Sequence, residues 1–216
     1  MTSYLVVVDK STLPVRTSRL VHRRIADTLA QRGQLIFFDV VSNPEFLREG
    51  TAVYDFMHPD RVVIGIDSER ALNLMKDVYR ELYLNETPFI ETNLEIAETI
   101  KYSSNAFLAV KITFINEIAN FCEKVAANLL DVARVMGKDG RISPKFLHPG
   151  PGYGSSCFPK YTKALSDIGK KYGSPLSVVE ATIEANERQK EKMVEKIVLY
   201  WRKAKGFFVS LFNTLF

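Results

Sequence analysis

Cysteine is nearly absent. Cys122 and Cys157 are the only two in 216 residues, and their separation gives neither a disulfide framework nor metal-ligand spacing, so no metal is expected and a reduced compartment, the cytoplasm, is. Charge of one sign is never concentrated: 29 basic and 25 acidic residues are mixed along the chain to a net +4. Without a run of five or six like charges, nucleic acid is not the expected partner. Long apolar runs are missing too. The final stretch, 206–216, is broken by Ser210, Asn213 and Thr214 and falls well short of the ~20 residues that cross a bilayer, so no membrane span is expected. The tail 198–216 suits a packed terminal helix or a short foreign end, with an interfacial anchor led by Arg202, Lys203 and Lys205 as the alternative. The opening MTSYLVVVDK lacks the basic-then-apolar order of a secretion signal.

What is present is enough for a core: 46% of residues are hydrophobic, and the length suits one large or two small domains. YLVVVDKS, 4–11, is a continuous apolar run rich in β-branched residues, which predicts a parallel strand, buried on both faces and central in its sheet. Helical spacing of Leu20, Ile25 and Leu29 then stops at Gly33, and LIFFDVVSN, 35–43, predicts a second strand. This β-α-β unit belongs to a parallel sheet that two strands cannot stabilise alone. A third strand is expected over 60–66 and a helix over 68–82. From Thr92 the pattern changes. Residues 92–126 contain neither Pro nor Gly, and Leu94, Ala97, Ile100, Phe107, Val110, Phe114, Ile118 and Phe121 recur every three or four positions, predicting one long helix. At about 50 Å it exceeds what a small domain needs internally, so part of it is expected to pack on another subunit. Shorter helices are expected at 129–137 and 161–173, and another long one after Pro175.

Five stretches could carry chemistry. Thr12 follows the first strand at its carboxyl end, where open α/β sheets bind ligands, although a plain turn around Pro14 explains it equally. In SNPEFLREG, 42–50, Glu45 and Glu49 stand four apart; on a helix turn they would share a face and repel, as a general base requires, or simply form a solvated helix start. Lys101 and Asn105 share one face of the long helix and could steady an oxyanion, or be helix surface. Arg141 could clamp a phosphate or decorate the turn after Gly140. In GPGYGSSCFPKYTKAL, 150–165, three glycines precede Cys157 at an expected helix start with Lys160 nearby, the setting that lowers a thiol pKa and makes a nucleophile, while a packed, inert thiol is the alternative. The glycine spacing is not the dinucleotide fingerprint G-x-G-x-x-G. Cys122, between Phe121 and Val125, reads as packing.

Together and in this order, DKSTLPV, SNPEFLREGTAVYDFMHPDRVVIG, KYSSNAF, GRISPKFLHPG and GPGYGSSCFPK resemble the UDP-glucose/GDP-mannose dehydrogenase family over roughly residues 4–197. The resemblance implies NAD as cofactor, UDP-glucose or a related nucleotide sugar as substrate, and two successive oxidations of a sugar alcohol through a thioester. By this resemblance Cys157 is the nucleophile, Lys101 and Asn105 steady the oxygen anions, and Glu45 handles protons during thioester hydrolysis. Ser11 and Thr12 fall at the nicotinamide end, with Thr12 ordering a water. Phe46, Leu47 and Glu49 belong to the sugar-side loop, Glu49 also bordering the cofactor. Arg141, His148, Gly150, Gly152, Tyr153 and Gly154 contact the nucleotide sugar. The implied fold is α/β: an incomplete Rossmann-like parallel sheet in 1–91, an all-α dimerisation and substrate domain in 92–197 whose long helix forms a homodimer, and the atypical tail 198–216.

Three departures from the family pattern shape the functional expectation. The family begins with a full dinucleotide-binding sheet and ends with a second α/β domain, so the chain is expected to be truncated at both ends and inactive alone. A helical assembly module, or one chain of a split enzyme, are the alternatives. The family motif reads close to GGSCFPKD; here GSSCFPKY places Ser155 for a glycine and Tyr161 for the carboxylate. A phenol with an ordinary pKa near ~10 is a poor substitute for a carboxylate base.

Overall fold

Alternating β-branched runs and amphipathic segments build the first half of the molecule. The structure, a computed structural model, describes residues 4–83, 86–155 and 157–215, with residue 83 and 203–215 described by backbone alone. The elements are β1 (Leu5–Asp9), α1 (Thr17–Gln31), β2 (Phe38–Ser42), α2 (Ala52–Met57), β3 (Val62–Gly65), α3 (Glu69–Val78), α4 (Arg80–Tyr83), β4 (Phe89–Thr92), α5 (Leu94–Val125), α6 (Leu129–Met136), α7 (Cys157–Lys171) and α8 (Ser177–Leu215). They divide into two compact units, Met1–Ser104 and Asn105–Phe216, the boundary falling within α5.

The first unit carries a four-stranded sheet in the order β1-β2-β3-β4. β1 runs parallel to β2, from Leu5 opposite Phe38 to Asp9 opposite Ser42, and β3 runs parallel to β4 from Val62 opposite Phe89 to Gly65 opposite Thr92. The two pairs meet antiparallel through Ser42 and Gly65, so the sheet is mixed rather than wholly parallel. β1 is not central. It pairs with β2 alone among the described strands, and Leu5 is 55% exposed, because an edge strand has a neighbour on one side only. The fully buried strand is β3, whose Val62 and Ile64 join Val41, Ala71, Met75, Tyr79 and Leu82 in the core. β4, unforeseen in the sequence, follows Pro88. Gly65 marks where β3 meets α5: a Cβ there would stand 2.6 Å from Ala97 Cβ and 2.8 Å from the Asn93 carbonyl oxygen, so only glycine permits that approach.

α5 has 32 residues, about 48 Å at 1.5 Å per residue. Its apolar positions do not form one stripe as the periodicity suggests. Leu94, Ala97, Ala106, Ala109, Ile115 and Cys122 are buried, whereas Phe107, Phe114 and Phe121, seven apart, are 64%, 46% and 61% exposed. Small residues let the inner face approach its neighbours and leave the rings outside. In the second unit α5 and α8 are joined by Asn120–Gln189 and by the Glu123–Lys196 ion pair, and α7 is joined to α8 by Glu180, which accepts from Ser166 at 3.1 Å and pairs with Lys170. The backbone of α8 stays helical into the tail; the side chains of Lys203, Lys205 and the rest of 203–216 lie outside the described residues, so the anchor reading of the tail does too. Among the described residues no helix is long and apolar enough to cross a membrane.

Candidate functional site

The candidate residues fall on both units. In the first unit they gather at the carboxyl edge of β1 and β2. Beyond Asp9 the chain turns through Lys10, Ser11 and Thr12. Ser11 is exposed, while Thr12 Oγ1 is buried without a hydrogen-bond partner in the described structure. Lys10 was not singled out by sequence. Its ammonium donates to Asn43 Oδ1 at 3.1 Å and to the Tyr79 hydroxyl at 2.8 Å, and Asn43 Nδ2 donates to the Val63 carbonyl at 2.9 Å. Asn43, 2% exposed, thereby ties the ends of β1, β2 and β3 together, since its own N–H donates to the Asp9 carbonyl.

The loop after β2 corrects one expectation. Residues 43–48 are not a helix turn, so Glu45 and Glu49 do not share a helix face; Pro44 and the competing side-chain bonds of Asn43 favour irregular backbone. Glu45 folds back to accept the Leu47 N–H at 2.6 Å and stands 3.5 Å from the Lys101 ammonium. Glu49 is exposed in the turn that follows. The loop is braced at two points. Asp55 accepts from the Arg48 backbone and guanidinium at 2.5 to 2.9 Å and from Thr51 at 3.1 Å, and those bonds from Arg48 hold its carboxyl well below the usual range. The Phe46 ring lies between two cations, the Arg61 guanidinium at 3.9 Å and the Lys101 ammonium at 5.0 Å from its centroid. Lys101 itself is 4% exposed. A buried ammonium requires compensation, and here a carboxylate and an aromatic face supply part of it. Leu47 lies at the exposed tip of the loop.

Thr12 Oγ1, buried and unpartnered, fits a polar contact at the nicotinamide end. Glu98 of α5, 2% exposed, accepts the Arg16 N–H at 2.5 Å and the Ser18 N–H at 2.8 Å, so the amides at the start of α1 serve a carboxylate.

In the second unit, Asn105 lies one turn after Lys101 along α5 and is partly buried. Cys157 is exposed and opens α7, as the helix-start reading requires; the Lys160 ammonium lies 5.9 Å from the centroid of the Tyr161 ring. Ser155 adopts φ 62°, the left-handed region where the family's glycine costs nothing and a side chain is strained. Ser156 lies outside the described residues. Arg141 is solvent-exposed and closes on Asp139 of its own turn, donating from Nε at 3.0 Å and from the terminal nitrogen at 2.6 Å, and these bonds pull the Asp139 pKa down. His148 is exposed and Gly154 has open space around it.

The glycine loop is held by residues the sequence did not disclose. The Gly150 N–H donates to Asn116 Oδ1 at 2.7 Å, and its carbonyl accepts from Gln189 Nε2 at 2.9 Å. The Tyr153 N–H donates to Asn186 Oδ1 at 2.7 Å, and its carbonyl accepts from Asn186 Nδ2 at 3.0 Å. Tyr153 is buried with its ring 6.0 Å from that of Phe158, and burial pushes its phenol pKa up, partly offset by a hydrogen bond with Thr162. The available signal was positional: Thr182, Ala185, Asn186 and Gln189 occupy one helical face and are all buried, so two amides stand where apolar residues are expected.

Comparison with known proteins agrees across the chain. Residues 1–83 match the profile described as UDP-glucose/GDP-mannose dehydrogenase family, NAD binding domain, and residues 95–188 match that family's central domain. A UDP-glucose 6-dehydrogenase of Rhizobium meliloti (strain 1021) is 53% identical over 197 residues, 90% of this chain and 44% of the relative. The UDP-glucose 6-dehydrogenase TuaD of Bacillus subtilis (strain 168) is 46% identical over 216 residues, all of this chain and 46% of the relative. Among solved structures, a UDP-glucose dehydrogenase from Pyrobaculum islandicum superposes with a TM-score of 0.79 at 38% identity, covering 86% of this chain and 42% of that one. The chain thus spans less than half the length of the curated relatives it matches.

Proposed function

Because the chain belongs to the UDP-glucose/GDP-mannose dehydrogenase family, we propose that it carries the thiol half of a nucleotide-sugar dehydrogenase, with UDP-glucose or a close analogue as ligand, and that this chain alone does not turn over. In this reading NAD, when bound, accepts the hydride of each oxidation. Cys157 adds through its sulfur to the aldehyde carbon and holds it, so that a second oxidation yields a thioester whose C–S bond water then breaks, releasing the acid and the thiol. Lys101 and Asn105 lower the cost of negative charge on the sugar oxygens. Glu45, beside Lys101, takes and returns the proton of the attacking water. Phe46, Leu47 and Glu49 on one loop, and Arg141, His148, Gly150, Gly152, Tyr153 and Gly154 on the other, contact the sugar nucleotide, while Ser11 and Thr12 border the nicotinamide.

The observation that carries this reading is the buried Lys101 ammonium paired with Glu45 at 3.5 Å: a costly ionised pair at the carboxyl edge of a sheet, where ligands of such folds bind. One observation supports inactivity of the chain by itself. Tyr161 replaces the carboxylate of the family motif. The test is alkylation of Cys157 with and without UDP-glucose, alongside NADH absorbance with UDP-glucose and NAD. Protection of Cys157 with no NADH formed is expected. NADH production would remove the inactivity claim, and an unprotected thiol would remove the ligand.

A homodimer is favoured by a separate observation, the exposed rings of Phe107, Phe114 and Phe121 spaced by seven along α5. A repeat of that period is what two packed helices share. Sedimentation of Phe114→Lys should give half the mass of the unaltered chain, and a monomeric unaltered chain would dismiss the dimer.

A further inference from the structure

Two residues of the glycine loop, Gly150 and Tyr153, have both of their backbone groups taken by side-chain amides of α5 and α8. The two grips are unequal. Asn116 supplies one bond to Gly150 and its Nδ2 remains buried without a hydrogen-bond partner in the described structure, whereas Asn186, 1% exposed, meets the N–H and the carbonyl of Tyr153 with both ends of a single amide. Gly152 is matched to that amide: its φ is 107°, and a Cβ there would stand 2.8 Å from Asn186 Oδ1. The effect continues toward the thiol. The Tyr153 ring abuts Phe158 at 6.0 Å, Phe146 meets the same ring edge-on at 6.4 Å, and Phe158 directly follows Cys157 in the first turn of α7.

We propose that Asn186 is a positioning residue for Cys157: by fixing the Tyr153 backbone it sets the Tyr153 ring against Phe158 and so fixes the start of α7, from which the thiol projects. Three glycines within five residues give this loop little conformational preference of its own, and the grip of α8 supplies what the loop lacks. The significance of the positioning rests on the reading of Cys157 as the nucleophile; the positioning itself does not.

The test uses the full chain with iodoacetamide, following Cys157 and Cys122 separately by peptide mass spectrometry, together with hydrogen exchange at the Tyr153 amide. Asn186→Asp keeps an acceptor for the Tyr153 N–H but turns an oxygen toward the Tyr153 carbonyl. Gly152→Ala attacks the same contact from the loop side and leaves Asn186 in place. In both variants the Tyr153 amide should exchange about tenfold faster and the Cys157 alkylation rate should move about threefold or more, with the rate of the buried Cys122 unchanged. Unaltered exchange at Tyr153 in both variants overturns the proposal. So does faster exchange with an unmoved Cys157 rate, or a Cys122 rate that rises in step with Cys157, since a general loosening moves both thiols. These comparisons are made without ligand. A failure of UDP-glucose to protect the unaltered Cys157 therefore counts against the proposed function and not against the grip.

Discussion

The loop after β2 and the loop before α7 are both irregular and both carry candidate site residues, but they are held by opposite chemistry. The first is fixed by ions: Arg48 on Asp55, Arg61 over Phe46, and Lys101 beside Glu45. The second is fixed by neutral amides, Asn116, Asn186 and Gln189, all of them buried. Ionic braces at a partly exposed loop are weakened by salt and depend on protonation. Buried amides ignore both, yet their loss strands backbone groups that water cannot reach. The same task, ordering a loop without regular structure, is thus solved once in a form that conditions can tune and once in a form that only mutation can disturb.

The larger expected effect lies on the neutral side. Asn186→Ala leaves the Tyr153 N–H and carbonyl unsatisfied in a buried setting, and two such groups together cost about 3 kcal/mol. The urea midpoint should fall accordingly, and by the same amount in neutral buffer as in mild acid, because neither an amide nor a backbone group titrates there. A loss that shrinks in acid would mean that a charge contributes to the grip, and the contrast between the two loops would fail.

Much of the scaffold was legible in the sequence, and what was not has identifiable causes. α5 follows from the absence of Pro and Gly over 94–125, whereas α7 opens at Cys157, ahead of the 161–173 span that the pattern suggests, although the glycines before the thiol did mark a helix start nearby. Strand direction did not: nothing in VVIG distinguishes parallel from antiparallel pairing, so the Ser42–Gly65 junction and the edge position of β1 emerged only from the fold. The i,i+4 spacing of Glu45 and Glu49 imitated a helix turn, although Asn43 and Pro44 were cues to a loop. Phe107, Phe114 and Phe121 have core-like chemistry, and only burial shows that they face outward. Within the candidate site, the sequence pointed to Cys157, Lys101 and Glu45 through motif resemblance. Glu98, Asn116, Asn186 and Gln189 escaped because a polar residue inside a helix reads as surface until its distant partner is known. For Asn186 that partner lies 33 positions away.

The smaller effect tests the ionic side and should depend on pH in a defined direction. Hydrogen bonds from Arg48, first from its guanidinium and then from its N–H, hold the Asp55 carboxyl below its ordinary value. A carboxyl with a depressed folded pKa adds stability in full above the unfolded value, about 3.9, and the addition is lost as pH falls toward the folded value. Asp55→Asn should therefore speed hydrogen exchange at the Arg48 amide near neutral pH, and the difference from the unaltered chain should narrow below about pH 4 as Asp55 takes up its proton. Other carboxylates titrate in both proteins and cancel from the difference. Raising the salt concentration at neutral pH should narrow the gap only slightly, since the Asp55 side chain is 11% exposed although its arginine is 64% exposed. A gap that stays constant into acid would show that Asp55 acts as a neutral acceptor, which its isosteric amide could replace in part, and the loop after β2 would then belong with the loop before α7.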